Sequence, residues 1–221
     1  MNKEYLFIIE DRVMISNNEF KHISKGYTYL LGPLLDRYYN IIRIQLDTGE
    51  IMYNKIKEHV NKIKVLNIVI QAHGIEINNN LFICGETQRF VADVDSLFSV
   101  KKLFLLFSLF LIPIRVLFLT CYSIYSQALI NILPKNSYIV TVGALNYNYN
   151  HRNVYFVKAS FFKNKTCNLI KLAYYDQVSK IIELRDPNYA KEYIKVIKKN
   201  NKGIIVIKEI TSYNYKEFDF K

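Results

Sequence analysis

The chain has 221 residues, of which 51% are hydrophobic and 22% charged, so it can bury its own core and is not a disordered chain. Its net charge is +11, and residues 151–221 hold 15 Lys and Arg against 7 Asp and Glu. No arginine-rich or glycine-aromatic tract accompanies this charge, which argues against nucleic acid as a partner. Three cysteines at unrelated spacings predict neither a disulfide framework nor a zinc site, and they indicate a reducing, cytoplasmic compartment.

The apolar stretches are short. The run before Glu10 has five residues, too few for a signal peptide, and the longest, residues 103–114, has twelve against the ~20 that span a bilayer. A window extended to residue 133 contains Arg115 as its only charge, so a membrane-associated protein using residues 103–133 stays a weaker alternative. The pattern favours a buried helix followed by a buried strand and argues against a membrane partner.

Apolar strand-like runs alternate with helical periodicity along the first two thirds of the chain. Strands are predicted at residues 5–10, 41–46, 65–72, 115–120 and 137–142. Helices are predicted at 26–40, from a cap at Asp47 or Thr48 to residue 63, at 94–110 and at 123–133, with a hairpin around the Asn-rich residues 76–85. This alternation predicts an α/β protein with a doubly wound, mainly parallel sheet flanked by helices.

The last third is less regular. It predicts a strand at 154–162, a helix at 168–183, a lysine-rich helix at 189–199 and a strand at 203–210. No linker or repeat interrupts the chain. One domain is therefore expected over residues 1–185, with residues 186–221 as an appended C-terminal α-β element that packs on the same domain.

Two of the predicted strands are followed directly by a side chain that can take part in catalysis. The third predicted strand is followed by His73 and Gly74, and the fourth by Cys121, Tyr122 and Ser123. His73 and Cys121 are 48 positions apart. If these strands are neighbours in the sheet, His73 and Cys121 emerge side by side at its carboxyl edge. The helix expected after Cys121 would favour the thiolate.

These residue types indicate nucleophilic catalysis. Cys121 would be the nucleophile and His73 the general base, while the backbone N–H groups of Gly74 and Cys121 could form an oxyanion hole. A third, orienting carboxylate is not evident in the sequence, although Glu76 lies close to His73 along the chain. The two other cysteines, Cys84 and Cys167, are expected to be structural.

An apolar strand ending in His-Gly, followed about fifty residues later by an apolar strand ending in Cys-x-Ser, resembles the caspase-like superfamily of cysteine peptidases. Leu119-Thr120-Cys121-Tyr122-Ser123 is most similar to the style of its CHAT and separase members, although Thr120 and Ile124 replace a small residue and a glycine. The resemblance covers roughly residues 1–145. It implies a caspase-like α/β/α sandwich and a hydrolase, a thiol protease that cleaves protein substrates with no metal or cofactor.

The sequence does not decide which substrate side chain is preferred or whether the chain is catalytically active. The loops 84–93 and 143–153 are expected to line the entrance, where Arg89 and Arg152 would favour an acidic substrate side chain and Asp93 a basic one. The alternative to a protease is a catalytically inactive caspase-like module that binds a regulatory partner protein.

Overall fold

A computed structural model of the chain describes residues 3–10, 38–84, 97–118, 120, 122–142, 169 and 194–210. Ten strands, two α-helices and two 3₁₀ helices lie in these ranges. In chain order they are β1 (Glu4–Glu10), β2 (Tyr39–Gln45), α1 (Gly49–Lys57), a 3₁₀ turn (Val60–Lys62), β3 (Leu66–Gln71), β4 (His73–Ile77), β5 (Asn80–Cys84), β6 (Phe98–Ser99), α2 (Val100–Ser108), β7 (Ile114–Phe118), the long 3₁₀ helix (Ser123–Asn131), β8 (Tyr138–Val142), β9 (Ile194–Lys199) and β10 (Ile205–Ile210).

Seven strands form the main sheet, in the order β2-β1-β3-β7-β8-β9-β10. The first five are mutually parallel, whereas β9 runs antiparallel to β8 and β10 antiparallel to β9. The predicted α/β class is therefore confirmed, with a mixed sheet. The five parallel strands are the five that the alternation of apolar and helical segments predicts.

The central parallel strands are buried on both faces, whereas the edge strand β2 is mostly half-buried or exposed. Four consecutive residues of β1, Leu6 to Ile9, are buried, as expected for a central strand of a parallel sheet. On one face, Phe7 and Ile9 belong to a core cluster that also contains buried side chains of α1 and α2. This two-sided burial explains why the strands read as continuous apolar runs rather than as alternating patterns.

Both α-helices begin at side-chain caps. The Thr48 hydroxyl accepts the Ile51 N–H and starts α1, as the sequence predicts. In α2 the Ser99 hydroxyl accepts the Lys102 N–H, so the predicted helix at 94–110 is wrong over Phe98 and Ser99. Those two residues instead pair with β5 as the short strand β6, because the sheet offers their backbone groups partners before the helix begins.

The predicted hairpin is confirmed and forms a second, three-stranded sheet in the order β4-β5-β6. Its turn places Asn78 and Asn79 at φ 50° and 61°. Two central residues with positive φ make a tight hairpin turn of the kind that asparagine tolerates better than most residues. The Asn-rich sequence therefore fixes the position of this turn.

The lysine-rich helix predicted at 189–199 is wrong over Ile194–Lys199, which is strand β9. β9 lies between β8 and β10, and Val196 and Ile197 are both buried, on opposite faces of the sheet. Lys199 is the last residue of β9, and its Nζ donates to the carbonyl oxygens of Asn131 at 3.0 Å and Leu133 at 2.8 Å. The sheet thus overrides the weak helical pattern, while the strand predicted at 203–210 is confirmed as β10.

Several predictions fall outside the described residues: most of the helix at 26–40, the strand at 154–162, the helix at 168–183 apart from Leu169, and the boundary near residue 185. Residues 39–40, the end of that first helix, are instead part of β2. Of the helices in the described ranges, none is long and apolar enough to cross a membrane.

Candidate active site

The strands that carry the two motifs are neighbours, which meets the condition that the sequence left open. β3 and β7 pair in parallel, and their last paired residues are Ile70 and Phe118. His73 and Cys121 each follow this pair by three positions along the chain. Because parallel strands end at the same edge of a sheet, both motifs belong to the carboxyl edge, where open α/β sheets place their sites.

His73 is the first residue of β4, and only Ala72 separates β4 from the end of β3. The sequence predicts a strand ending at residue 72 followed by a turn, whereas the chain passes at once from the main sheet into the small sheet. The structure describes the backbone of His73, whose partner across the hairpin is Cys84. The histidine is therefore held at the junction of two sheets.

Gly74 is buried and lies opposite Ile83 in the β4–β5 ladder. Among the described residues β4 is an edge strand, paired only with β5. In an antiparallel pair, alternate N–H groups point away from the partner strand, so an edge strand leaves backbone donors available. The role of the Gly74 N–H in an oxyanion hole stays a prediction.

Cys121 lies outside the described residues, but the residues on either side are described. Thr120 is buried, and Tyr122 has φ 58° and ψ 19°, in the left-handed region. A left-handed conformation costs an ordinary residue about 1–2 kcal/mol, and for a bulky side chain it is a genuine outlier. No glycine or asparagine at position 122 signals this turn in the sequence, so sequence reasoning missed it.

The segment that follows Cys121 is helical but is not the α-helix predicted at 123–133. It is a 3₁₀ helix of nine residues, much longer than most 3₁₀ segments. The Ser126 hydroxyl donates to the Ser123 carbonyl at 2.6 Å, a local bond that competes with α-helical geometry. The first N–H groups of this helix still face the turn after Cys121, as in the predicted arrangement.

Buried polar residues occur at both ends of the main sheet. Glu10, Thr120, Ser123, Ser126 and Thr141 lie toward the carboxyl ends of the strands or in the long 3₁₀ helix, whereas Asn67 and Ser137 lie at the amino ends. Burying a polar group costs free energy unless it finds a partner, and Glu10 and Ser126 have theirs in Arg43 and the Ser123 carbonyl. The buried polar residues therefore do not by themselves mark the carboxyl edge as a site.

The carboxylates near His73 in the chain or the sheet already have partners. Glu76 accepts the N–H of Asn79 and thereby closes the turn of the hairpin. Glu10, whose strand partner is Gln71, accepts a hydrogen bond from Arg43 Nη1 at 2.7 Å. Glu76, the carboxylate that lies close to His73 in the sequence, thus has a structural role in the hairpin turn.

We expect the Glu10→Gln substitution to lower the free energy of unfolding by about 1.5–3 kcal/mol, the usual worth of a hydrogen bond to a charged group. Glu10 is 4% exposed, so its carboxylate depends on Arg43 rather than on water. Urea denaturation measures the change. The exposed Glu50→Gln variant is the control, and an equal effect in both would contradict a special role for the buried ion pair.

The tentative substrate residues Arg89 and Arg152, with Asp93, Cys167 and the loop 143–153, lie outside the described residues. Cys84 is fully buried, in keeping with a structural thiol. Within the described ranges no three His, Cys, Asp or Glu side chains are grouped so that they could hold a metal ion.

Comparison with known proteins gives no relative: no protein-family model matches the chain, and no curated protein matches it either.

Proposed function

We propose that the protein is an intracellular caspase-like cysteine endopeptidase that uses a dyad of Cys121 and His73. The observation that supports it best is the adjacency of β3 and β7, with each motif three positions beyond the pair Ile70–Phe118. The sheet order and the helices on one face are compatible with the α/β/α sandwich that this family implies. The activity itself is inferred from the residue types at that edge.

In the proposed reaction, His73 takes the thiol proton and the Cys121 Sγ attacks the scissile carbonyl carbon. The tetrahedral oxyanion is held by the N–H groups of Gly74 and Cys121. His73 then gives its proton to the leaving amine as the C–N bond breaks, which leaves a thioester on Cys121. A water molecule, deprotonated by His73, hydrolyses the thioester and restores the thiol.

The backbone around Cys121 supports a site of this kind. Left-handed residues other than glycine persist where the surrounding structure holds them, and they cluster at active sites. Tyr122 is such a residue, and it lies between the candidate nucleophile and the long 3₁₀ helix. The sharp turn would present the Cys121 side chain and its N–H at the carboxyl edge of the sheet.

Within the described ranges one side of β4 has no neighbouring strand, which suggests how a substrate would bind. An extended peptide can add to an exposed strand edge through main-chain hydrogen bonds, and pockets for its side chains then give specificity. β4 begins at His73, so a peptide on this edge would cross the candidate dyad. Arg89 and Arg152 remain the proposed selectors of an acidic side chain, with Asp93 as the opposing candidate.

Alkylation tests the proposed dyad directly. With iodoacetamide at neutral pH, we expect Cys121 to react faster than an ordinary thiol of pKa ~8.5, because a neighbouring histidine stabilises the thiolate. Mass spectrometry after a short exposure locates the modified residue, and the buried Cys84 serves as the internal unreactive thiol. If Cys121 reacts no faster than a cysteine in an unfolded peptide, the proposal is wrong.

One observation favours the second candidate, a catalytically inactive module that binds a regulatory partner. Glu10 is paired with Arg43 and Glu76 closes the hairpin turn, so both carboxylates already have a structural role. A dyad can work without a third member, and for that reason the peptidase remains the leading proposal. Slow alkylation of Cys121 together with a normal fold would favour the binding module.

A further inference from the structure

The amino ends of the main-sheet strands form a continuous surface at the end of the molecule opposite the candidate site. The Leu66 N–H donates to the Pro113 carbonyl at 2.9 Å, the Ile114 N–H donates to the Ser137 hydroxyl at 2.9 Å, and the Lys199 N–H donates to the Ser137 carbonyl at 2.9 Å. These bonds set four segments side by side: residues 62–65, 109–113, 134–137 and 200–204. We call this set the amino-end surface.

Large aliphatic side chains are exposed on the amino-end surface. Leu111 is 84% exposed, Leu109 61% and Ile204 56%. Leu111 also has φ 56°, a left-handed conformation in which leucine is strained. Glycine or asparagine would fit this turn better, so folding alone does not account for a leucine there.

The same surface is strongly basic. Lys62, Lys64, Lys135 and Lys202 are exposed, and the four segments contain no Asp or Glu. In the part of the chain that the structure describes, none of these four ammonium groups takes part in an ion pair. The neighbouring Glu4 carboxylate is already bound by Asn67 at 3.0 Å and Arg115 at 3.7 Å, so it does not neutralise them.

We propose that the amino-end surface docks on an anionic phospholipid bilayer. Exposed aliphatic side chains that enter the headgroup region, surrounded by lysines that attract anionic lipids, are the features of interfacial membrane binding. Stacking on nucleic acid would call for exposed aromatic rings, whereas the exposed side chains here are leucine and isoleucine. Docking on the bilayer surface needs no spanning helix, so it is compatible with the short apolar stretches of this chain.

This orientation would leave the carboxyl edge facing water. The parallel strands β3, β7 and β8 begin at the amino-end surface and run to the carboxyl edge, so the two edges are a full strand length apart. A bilayer on the amino-end surface would therefore leave access to His73 and β4. The proposal does not depend on peptidase activity.

The apolar part is tested with the full chain and sedimented vesicles of phosphatidylcholine and phosphatidylserine in a two-to-one ratio. We expect binding to these vesicles, little binding to pure phosphatidylcholine, and a loss of at least about tenfold in the partition coefficient for the double variant Leu109→Ser, Leu111→Asn. The control is Ile51→Ser, an exposed aliphatic side chain on the first turn of α1, away from this surface. The thermal midpoint of Leu111→Asn should not fall, because asparagine tolerates positive φ.

The charged part has its own matched pair of variants. The double variant Lys64→Gln, Lys135→Gln should bind the phosphatidylserine-containing vesicles more weakly, by about fivefold for each lysine removed. Raising the salt concentration should also weaken vesicle binding, because salt screens the attraction. Lys101→Gln with Lys102→Gln, on the first turn of α2, removes equal charge elsewhere and should bind like the unchanged protein. Absence of vesicle binding, or equal losses in both pairs, would overturn the proposal.

Discussion

Replacing Cys121 with alanine is expected to lower kcat/KM for peptide hydrolysis by about three orders of magnitude or more, to the level that binding and the oxyanion hole alone support. Without the thiol no acyl-enzyme can form, whatever the rest of the site contributes. The variant should keep its fold and its melting temperature. The measurement is the initial rate of cleavage of a library of fluorogenic peptides, with thermal unfolding recorded on the same sample.

Two further variants make this result specific. The His73→Ala substitution should lower kcat/KM nearly as much as Cys121→Ala does. The variant with both substitutions should lose no more, because the members of a catalytic unit do not contribute additively. Cys84→Ala removes the buried cysteine opposite His73 in the hairpin and should keep most of the activity. A Cys121→Ala protein that still cleaves would show that another residue is the nucleophile.

The central parallel strands could be predicted because they are buried on both faces. β1, β3 and β7 are largely apolar runs, a pattern that a central strand or a buried helix gives, and their short length decides between these two. The Thr48 cap and the Asn78-Asn79 turn could be predicted for a local reason, since each depends on side chains within three residues. Chain order did not decide the adjacency of β3 and β7, because β2 and β3 are also successive strands and β1 lies between them.

What the sequence did not reveal depends on contacts far apart in the chain or on strained backbone. β9 has lysines at Lys195, Lys198 and Lys199 that mask its apolar residues, and only pairing with β8 and β10 makes it a strand. Tyr122 has no residue-type signature for a left-handed turn, because neither glycine nor asparagine stands at that position. The features that most concern the site are thus the ones that local propensity does not encode.

The second large effect is on stability. Phe104→Ala should lower the free energy of unfolding by about 3–5 kcal/mol, since a buried phenylalanine loses its transfer free energy and leaves a cavity. Phe104 is fully buried in α2, with ring centroids 5.4 Å from Phe107 and 5.7 Å from Phe118. Leu105→Ala on the same helix is the control, because Leu105 is 46% exposed and should cost much less. Denaturant titration measures both.

The contact between Phe104 and Phe118 links this core to the candidate site. Phe118 is the last residue of β7, and its strand partner is Ile70. This is the last residue pair before the two motifs, and the Phe118 ring packs against Phe104 of α2. A double-mutant cycle with Phe104→Leu and Phe118→Leu should give a coupling of about 0.5–1.5 kcal/mol, the range for aromatic pairs. If the site depends on this support, Phe118→Leu should also slow Cys121 alkylation at a temperature where the variant is fully folded, while Phe107→Leu should not. Equal alkylation rates in both variants would mean that the strand end is held by other contacts.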